Sequence, residues 1–247
     1  MNSALFCEEL VVWMLNKYPG RFRIYEDTPV QRIKLSNGSF EGKGYRASLE
    51  TGKNLVNAKH VVLCTNGYND LEIEGMGVSI DTAMKGLIGF MVGYRHREES
   101  GATASVYFSA RRSGEEGYFY MTRRKYIDGP KRELTCVGGP DLPLGAKERY
   151  LSESVPEAKE HYSRIEETII DAFTDAKSDF SWHGLMGYTS SGVRIIGRDP
   201  YFPSLVYNMG CNGIGILPSI YGGKRVAQII NGETLAPSIF DPIRPRH

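Results

Sequence analysis

Residues 206–236 hold the arrangement with the most evident chemical use. Val206, Tyr207, Asn208 and Met209 form a short apolar-leaning run that reads as a strand. Gly210-Cys211-Asn212-Gly213-Ile214-Gly215 follows. From about Ser219 the chain reads as a helix with Ile220, Val226, Ala227, Ile229 and Ile230 on its apolar face, stopped by Asn231-Gly232. Glycine carries no Cβ and tolerates positive φ, so this loop lets backbone pass close to a ligand. A strand, a glycine loop and a helix start also gather free N–H groups and a positive dipole end at one spot. The arrangement suits a phosphate or the electron-rich edge of a cofactor ring. Three glycines in six residues equally describe a tight turn, and spacing alone leaves both readings open.

Other chemistry is sparse. Cys7, Cys64, Cys136 and Cys211 form no C-x-x-C pair, and His60, His96, His161, His183 and His247 are scattered, so no metal site is expected. The cysteines read as reduced thiols of a cytoplasmic protein. With 30 basic and 29 acidic residues in 247, the net charge is +1 and nothing points to nucleic acid or an anionic membrane. Arg111-Arg112 and Arg123-Arg124-Lys125 read as solvated faces. The most apolar run, Gly86 to Tyr94, is far short of the roughly 20 residues of a spanning helix. Glu8 and Glu9 before the first apolar run argue against a signal peptide.

Residues 3–18 predict a helix with a broad apolar face of Leu5, Phe6, Leu10, Val11, Trp13, Met14 and Leu15, ended by Pro19-Gly20, and that face needs a covering surface. Strands are expected at Arg21–Tyr25, Gln31–Leu35, Tyr45–Glu50, Lys53–Val56 and Lys59–Thr65, with turns at Ser36–Ser39 and Thr51-Gly52. The last strand is continuously apolar, as in a sheet covered on both faces. Met84–Tyr94, Ser105–Ser109, Gly117–Thr122 and Glu133–Gly138 read as an antiparallel set, separated by turns at Gly101, Ser113-Gly114 and Asp128-Gly129-Pro130. Tyr118 and Tyr120 share one strand face by the period of two, as walls of a substrate pocket or as ordinary sheet aromatics. Ser154-Val155-Pro156-Glu157 matches a capping box for a helix to about residue 173, with Ala158, Tyr162, Ile165, Ile169 and Phe173 on one face.

Four pieces, in order, resemble the FAD-dependent D-amino-acid oxidase and sarcosine/glycine oxidase (DAO) family. They are Val56 to Tyr68; Trp182, Gly184, Tyr188-Thr189, Gly192 and Ile195–Arg198; Gly210 to Ile216; and the helix ending in Ile229–Glu233. The resemblance implies an α+β fold derived from an α/β one. A partial, Rossmann-like FAD-binding domain would occupy 1–81, an antiparallel substrate domain 82–180 with a helix at about 155–173, and 181–247 would return to the FAD-binding domain. It implies non-covalent FAD. The Val30 backbone would face the adenine, with Thr65, Asn66 and Gly67 near the adenosine and pyrophosphate. Gly187, Tyr188 and Arg194 would lie near the isoalloxazine or ribityl chain, and Asn212, Gly213, Ile214, Gly215 and Ile216 at the N1/O2 edge of the ring. Tyr118, Tyr120 and Met186 would meet substrate. Read without the resemblance, Val30 is a core valine and Asn66-Gly67 a turn.

A flavoprotein of this class should carry strand, G-x-G-x-x-G and helix. No such segment occurs, and Gly75-Met76-Gly77 lacks the later glycine. The chain therefore resembles the family from a point well inside it. A missing N-terminal segment or a second chain is expected to complete the FAD site. Many relatives carry histidine at the place of Ile214 and a polar group near Leu217. Relatives with covalent flavin have cysteine at the place of Met186, and amino-acid oxidisers have a carboxylate-anchoring arginine at or near it. Methionine makes no bidentate contact, which leaves Arg194 as the nearest alternative anchor. The resulting expectation is part of an FAD-dependent oxidoreductase acting on a C–N bond of a small amine or amino-acid-like substrate, with no assignable catalytic acid or base. The alternative is a silent or incomplete DAO-like domain that serves binding or assembly.

Overall fold

A computed structural model of the chain describes residues 3–40, 42–52, 54–68, 71–74, 84–97, 104–109, 118–126, 132–145, 148–153, 155, 157–169 and 178–242. The expected turns at Gly101, Ser113-Gly114 and Asp128-Gly129-Pro130, the capping residues Ser154 and Pro156, the end of the following helix, and Gly75–Gly77 lie outside the described residues. The fold is α+β, and the chain forms two compact units. One comprises 1–65, 70–80 and 191–247; the other comprises 66–69 and 81–190. The expected return at 181 and the observed one at 191 differ by a single strand, described below.

The first unit holds α1 (Ser3–Lys17), β1 (Arg32–Phe40), β2 (Tyr45–Thr51), β3 (Asn54–Ala58), β4 (Val61–Leu63) and β5 (Glu72–Glu74). It is completed by β12 (Ile195–Arg198), β13 (Leu205–Met209) and α3 (Ile216–Ile230). A four-stranded sheet has the order β3-β2-β1-β5, and a three-stranded sheet the order β12-β13-β4. β13 runs parallel to β4, pairing Leu205 with Val61 and Tyr207 with Leu63. α3 covers this small sheet, with Val226 and Ile229 packed on Ile196 and Val206. The turn between β12 and β13 is organised by buried Asp199. Its Oδ1 accepts the N–H groups of Tyr201 and Phe202, both at 2.8 Å, and its Oδ2 accepts the Tyr207 hydroxyl at 2.7 Å.

The second unit is built on β6 (Met84–Arg97), β7 (Ala104–Ser109), β8 (Tyr118–Lys125), β9 (Arg132–Gly138), β10 (Leu142–Pro143) and β11 (Phe180–Thr189), with α2 (Ala158–Ile169). β6 pairs antiparallel with β9, β10 and β11, and β7 and β8 continue outward from β9. β11 matches β6 from Phe180↔Gly93 to Thr189↔Met84, which ties residues 180–189 to this unit. One face of the sheet is the core. Ile88, Phe90, Val92, Tyr94, Phe119 and Val137 bury themselves with Ile165 of α2.

Four local expectations are corrected. Residues 22–25 form no strand: Ile24 and Tyr25 are exposed, and a short strand needs a ladder partner to satisfy its backbone. Ser36–Ser39 is no turn, because β1 runs on to the Phe40↔Tyr45 pair through a register shift after Leu35 that absorbs three extra residues. α3 starts at Ile216 rather than Ser219, since Pro218 is tolerated in a first turn. Its buried face is Gly222, Arg225, Val226 and Ile229, whereas Ile220 and Ile230 are exposed.

No residue of α1 is buried, and Leu5, Phe6, Leu10, Val12, Trp13 and Leu15 are each at least 36% exposed. Replacing Leu10 and Leu15 together by glutamine should therefore change the unfolding free energy in urea by no more than about 0.5 kcal/mol. Fluorescence of a bound hydrophobic dye should fall, because apolar surface is removed. A loss of about 2 kcal/mol or more would show instead that α1 is packed.

Candidate functional site

The glycine loop of the first unit is shaped by backbone conformation. Gly210, Asn212 and Gly213 have φ of 88°, 45° and 78°, so the left-handed region is used three times in four residues. Ile214 N–H closes the turn onto Cys211 O at 2.8 Å, and the Asn212 side chain donates to Gly210 O at 3.3 Å. α3 then begins with Gly215 as N-cap and no side-chain cap. Helix geometry gives the first N–H groups no internal partner. Ser219 instead caps backward, its N–H and hydroxyl both donating to Gly215 O at 3.0 and 2.6 Å. The N–H groups of Gly215, Ile216 and Leu217 meet no acceptor among the described residues and lie beside two apolar side chains, Ile214 and Leu217, that are 70% and 72% exposed.

Arg194 lies behind this loop and is 8% exposed. Its Nε donates to Asn208 Oδ1 at 3.0 Å, and its Nη1 donates to Gly210 O at 3.3 Å. Its Nη2 donates to Asn208 O at 3.2 Å and to Ser219 Oγ at 2.8 Å. Every acceptor is neutral. Burial holds the guanidinium below its ordinary pKa, but arginine stays charged. A buried positive charge without a carboxylate therefore sits behind an open helix start, and both favour negative charge in front of them. Arg194 is thus not a surface residue. Nothing in the spacing of Arg194, Asn208 and Ser219 signals that they meet, because the three come together only in space.

Thr65 follows β4, and Val30 is half-buried just before β1. Asn66 has φ of 56° and opens a turn in the second unit. A Cβ on buried Gly67 would lie 2.6 Å from Met186 O, and one on buried Gly187 would lie 2.6 Å from Asn66 Oδ1. Asn66, Gly67, Met186 and Gly187 are consequently in close backbone contact, whereas Val30 and Thr65 are not part of that contact.

The second unit carries a different group of side chains. Register places Tyr120, Gly138, Met91 and Trp182 in one row across β8, β9, β6 and β11. That row faces away from the Phe90 and Phe119 core. Tyr118 and, on β11, Gly184, Met186 and Tyr188 share the face by the same alternation. Gly89 and Gly184 are ladder partners and form its floor, and nothing lies within 4 Å of the place where a Gly184 Cβ would be. The Tyr118 and Tyr120 rings lie 6.3 Å apart, and Tyr120 covers Gly138. Beside them is a residue that sequence reading missed: Asp141 accepts the Tyr118 hydroxyl at Oδ2, 3.1 Å away. Its Oδ1 is shielded from solvent and has no hydrogen-bond partner among the described residues. Burial pushes its pKa up, opposed by the Tyr118 hydrogen bond. An aspartate after Gly-Gly-Pro carries no sequence mark of burial.

The family model for FAD dependent oxidoreductases, DAO, matches residues 5–229, and the chain belongs to that family. The structure is similar to glycine oxidase from Geobacillus kaustophilus, with TM-score 0.58 and 20% identity, over 91% of this chain and 54% of that one. It is also similar to glycine oxidase from Bacillus cereus ATCC 14579, with TM-score 0.61 and 19% identity, over 89% and 54%. For L-amino acid deaminase from Proteus vulgaris the values are 0.54 and 15%, over 90% and 58%. The chain thus spans a little over half the length of these solved proteins. No curated protein matches it. Among the described residues there is no group of metal-ligating side chains, and no helix is long and apolar enough to cross a membrane.

Two predictions follow from these geometries. Arg194→Met removes four hydrogen bonds and takes the guanidinium donors from Asn208 Oδ1 and the Asn208 carbonyl, at a cost of about 3 kcal/mol in urea unfolding. Arg194→Lys recovers less than half, because an ammonium cannot match the planar fork. Asp141 has a folded-state pKa above its unfolded one, so the carboxyl favours folding below the unfolded value and opposes it as pH rises through the folded value. Asp141→Asn should therefore raise the urea midpoint relative to wild type above neutral pH, with the gap closing toward pH 4. A gap that widens on acidification would contradict this.

Proposed function

We propose that this chain is part of an FAD-dependent oxidoreductase that oxidises a C–N bond of an amine or amino-acid-like small molecule. Membership of the family supports the cofactor class. The observation that carries the reading is the buried, carboxylate-free Arg194 behind the open N–H groups of Gly215 and Ile216. Bound there, FAD would supply the acceptor for a hydride equivalent from the carbon beside the nitrogen.

The residues fit the ring end of that cofactor. Asn212, Gly213, Ile214, Gly215 and Ile216 would hold its pyrimidine edge, with the dipole of α3 and Arg194 favouring negative charge there. Exposed Ile214 and Leu217 offer apolar surface to a flat ring. Gly187, Tyr188, Asn66, Gly67, Thr65 and Val30 are proposed for the rest of the dinucleotide. The phosphate loop is different: residues 1–247 contain no G-x-G-x-x-G. A segment outside these residues, or a second chain, is proposed to hold the pyrophosphate. Tyr118, Tyr120 and Met186 are proposed as substrate walls. The relatives' names support an amine or amino acid: glycine oxidase and L-amino acid deaminase are both enzymes of such molecules. A cytoplasmic location is proposed with the reduced cysteines, which form no disulfide among the described residues.

The test is the absorption spectrum of the purified chain after incubation with FAD and desalting. Retained flavin bands are expected, and Leu217→Glu should weaken FAD binding about tenfold or more by setting a carboxylate at the helix start, without lowering the unfolding midpoint. A colourless protein that still unfolds cooperatively would overturn FAD binding by this chain and favour the silent-domain reading.

A further inference from the structure

The face of the second unit opposite its core poses an electrostatic problem that none of the described residues solves. Asp141 Oδ1 is shielded and unpartnered, and Asp141 takes part in no ion pair among the described residues. An unpaired, shielded carboxylate is unfavourable unless it is protonated or meets a cation. What shields it is specific. The place of a Gly89 Cβ is taken by the Met186 methyl at 2.7 Å, with the Met186 sulfur at 3.6 Å and Asp141 Oδ1 at 3.4 Å. Met186 is a flexible thioether with three rotatable bonds, and its end can swing aside at small cost.

We infer that Asp141 is the specificity-determining residue of this unit, binding the ammonium group of the substrate at Oδ1 when the end of the Met186 side chain moves off Gly89. Three features of the face match that ligand. The Tyr118 hydroxyl satisfies Oδ2 and fixes the carboxylate, leaving Oδ1 as the acceptor. The Tyr118 and Tyr120 rings, 6.3 Å apart, offer π faces to a cation, which strengthen as water is excluded. Gly184 leaves open space on the sheet where a side chain would otherwise stand, and Gly89 does so once the Met186 end moves off it. A neutral alcohol or ether of the same shape lacks the charge and is rejected. The raised pKa of Asp141 agrees with a carboxyl that lacks its counter-ion. The inference rests on the oxidoreductase reading only for calling the ligand a substrate; the ammonium site itself stands on Asp141, Met186 and the tyrosines.

The probe is N-methylbenzylamine as its ammonium salt, compared with benzyl methyl ether, titrated into the full chain with and without FAD. Binding is followed by calorimetry and by the carbon-13 carboxyl resonance of Asp141. The amine should bind and move that resonance, and the ether should bind at least about tenfold more weakly. Asp141→Asn should lose about tenfold in amine affinity and nothing for the ether. Met186→Ala should tighten amine binding by uncovering Oδ1. Equal binding of amine and ether, or an unmoved Asp141 resonance at saturating amine, overturns the assignment. The resonance decides on wild-type protein even if Asp141→Asn does not fold. Amine bound at Asp141 by a chain that retains no FAD overturns FAD binding by this chain and leaves the ammonium site standing. FAD retained without amine at Asp141 does the reverse.

Discussion

The guanidinium of Arg194 is the constraint on which the first unit's site depends. One side chain holds β13 through Asn208, the glycine loop through Gly210, and the first turn of α3 through Ser219. Carbonyls at a strand end and a loop lose water on burial, and each needs a donor. Arginine supplies donors in a planar fork, so three elements are fixed in one plane. Close approach does the rest. A Cβ on Gly222 would lie 2.2 Å from Asn208 Oδ1, so α3 can sit against β13 only with glycine there. The charge that remains is uncompensated within the unit, and the same arrangement that holds the loop also polarises the space in front of it.

The second unit follows a contrasting logic. Its sheet has one apolar face, filled by α2 and the Phe90 and Phe119 cluster, with Phe90 stacked on His161 at 4.1 Å between ring centroids. Such a face supplies the stability of the unit, since apolar burial is the main favourable contribution to folding. The other face carries glycines, the exposed Tyr118 and a carboxylate without a counter-ion among the described residues. Groups arranged against local stability cluster where a protein binds or reacts. At the edge of that face Asn66-Gly67 meets Met186 and Gly187 in close contact.

The surface of the first unit has a further character. α1 exposes its apolar residues, and at the start of α3 Ile214 and Leu217 stand out from the surface. Contiguous exposed apolar area of this kind marks surfaces that meet a ligand or another segment. The chain spans a little over half the length of the solved proteins it resembles, and such faces are where additional chain in a longer fold would pack.

Much of the fold was legible because it is written in local periodicity. The strands at 45–51, 132–138 and 205–209 and the helices at 3–17 and 158–169 arise from alternation or helical spacing that any solvent-facing surface imposes. The glycine loop was legible too, because positive φ at Gly210 and Gly213 restricts the residue type by sterics alone. Residues 22–25 misled because a strand needs a partner, and pairing is not a local property. The sequence could place Tyr118 and Tyr120 on one face but could not say which face, since that depends on the ladder that joins β8 to β9 and β6. Arg194 looked like one arginine among many until burial removed its water and the loop supplied its acceptors. Asp141 was silent for the same reason: its character comes from Tyr118, Met186 and Gly89, which lie 23, 45 and 52 positions away in sequence and meet it only through long-range strand pairing. Residue types and periodicity thus determined the elements and the loop, and tertiary packing decided which charges stand without partners, because desolvation is a property of the assembled fold.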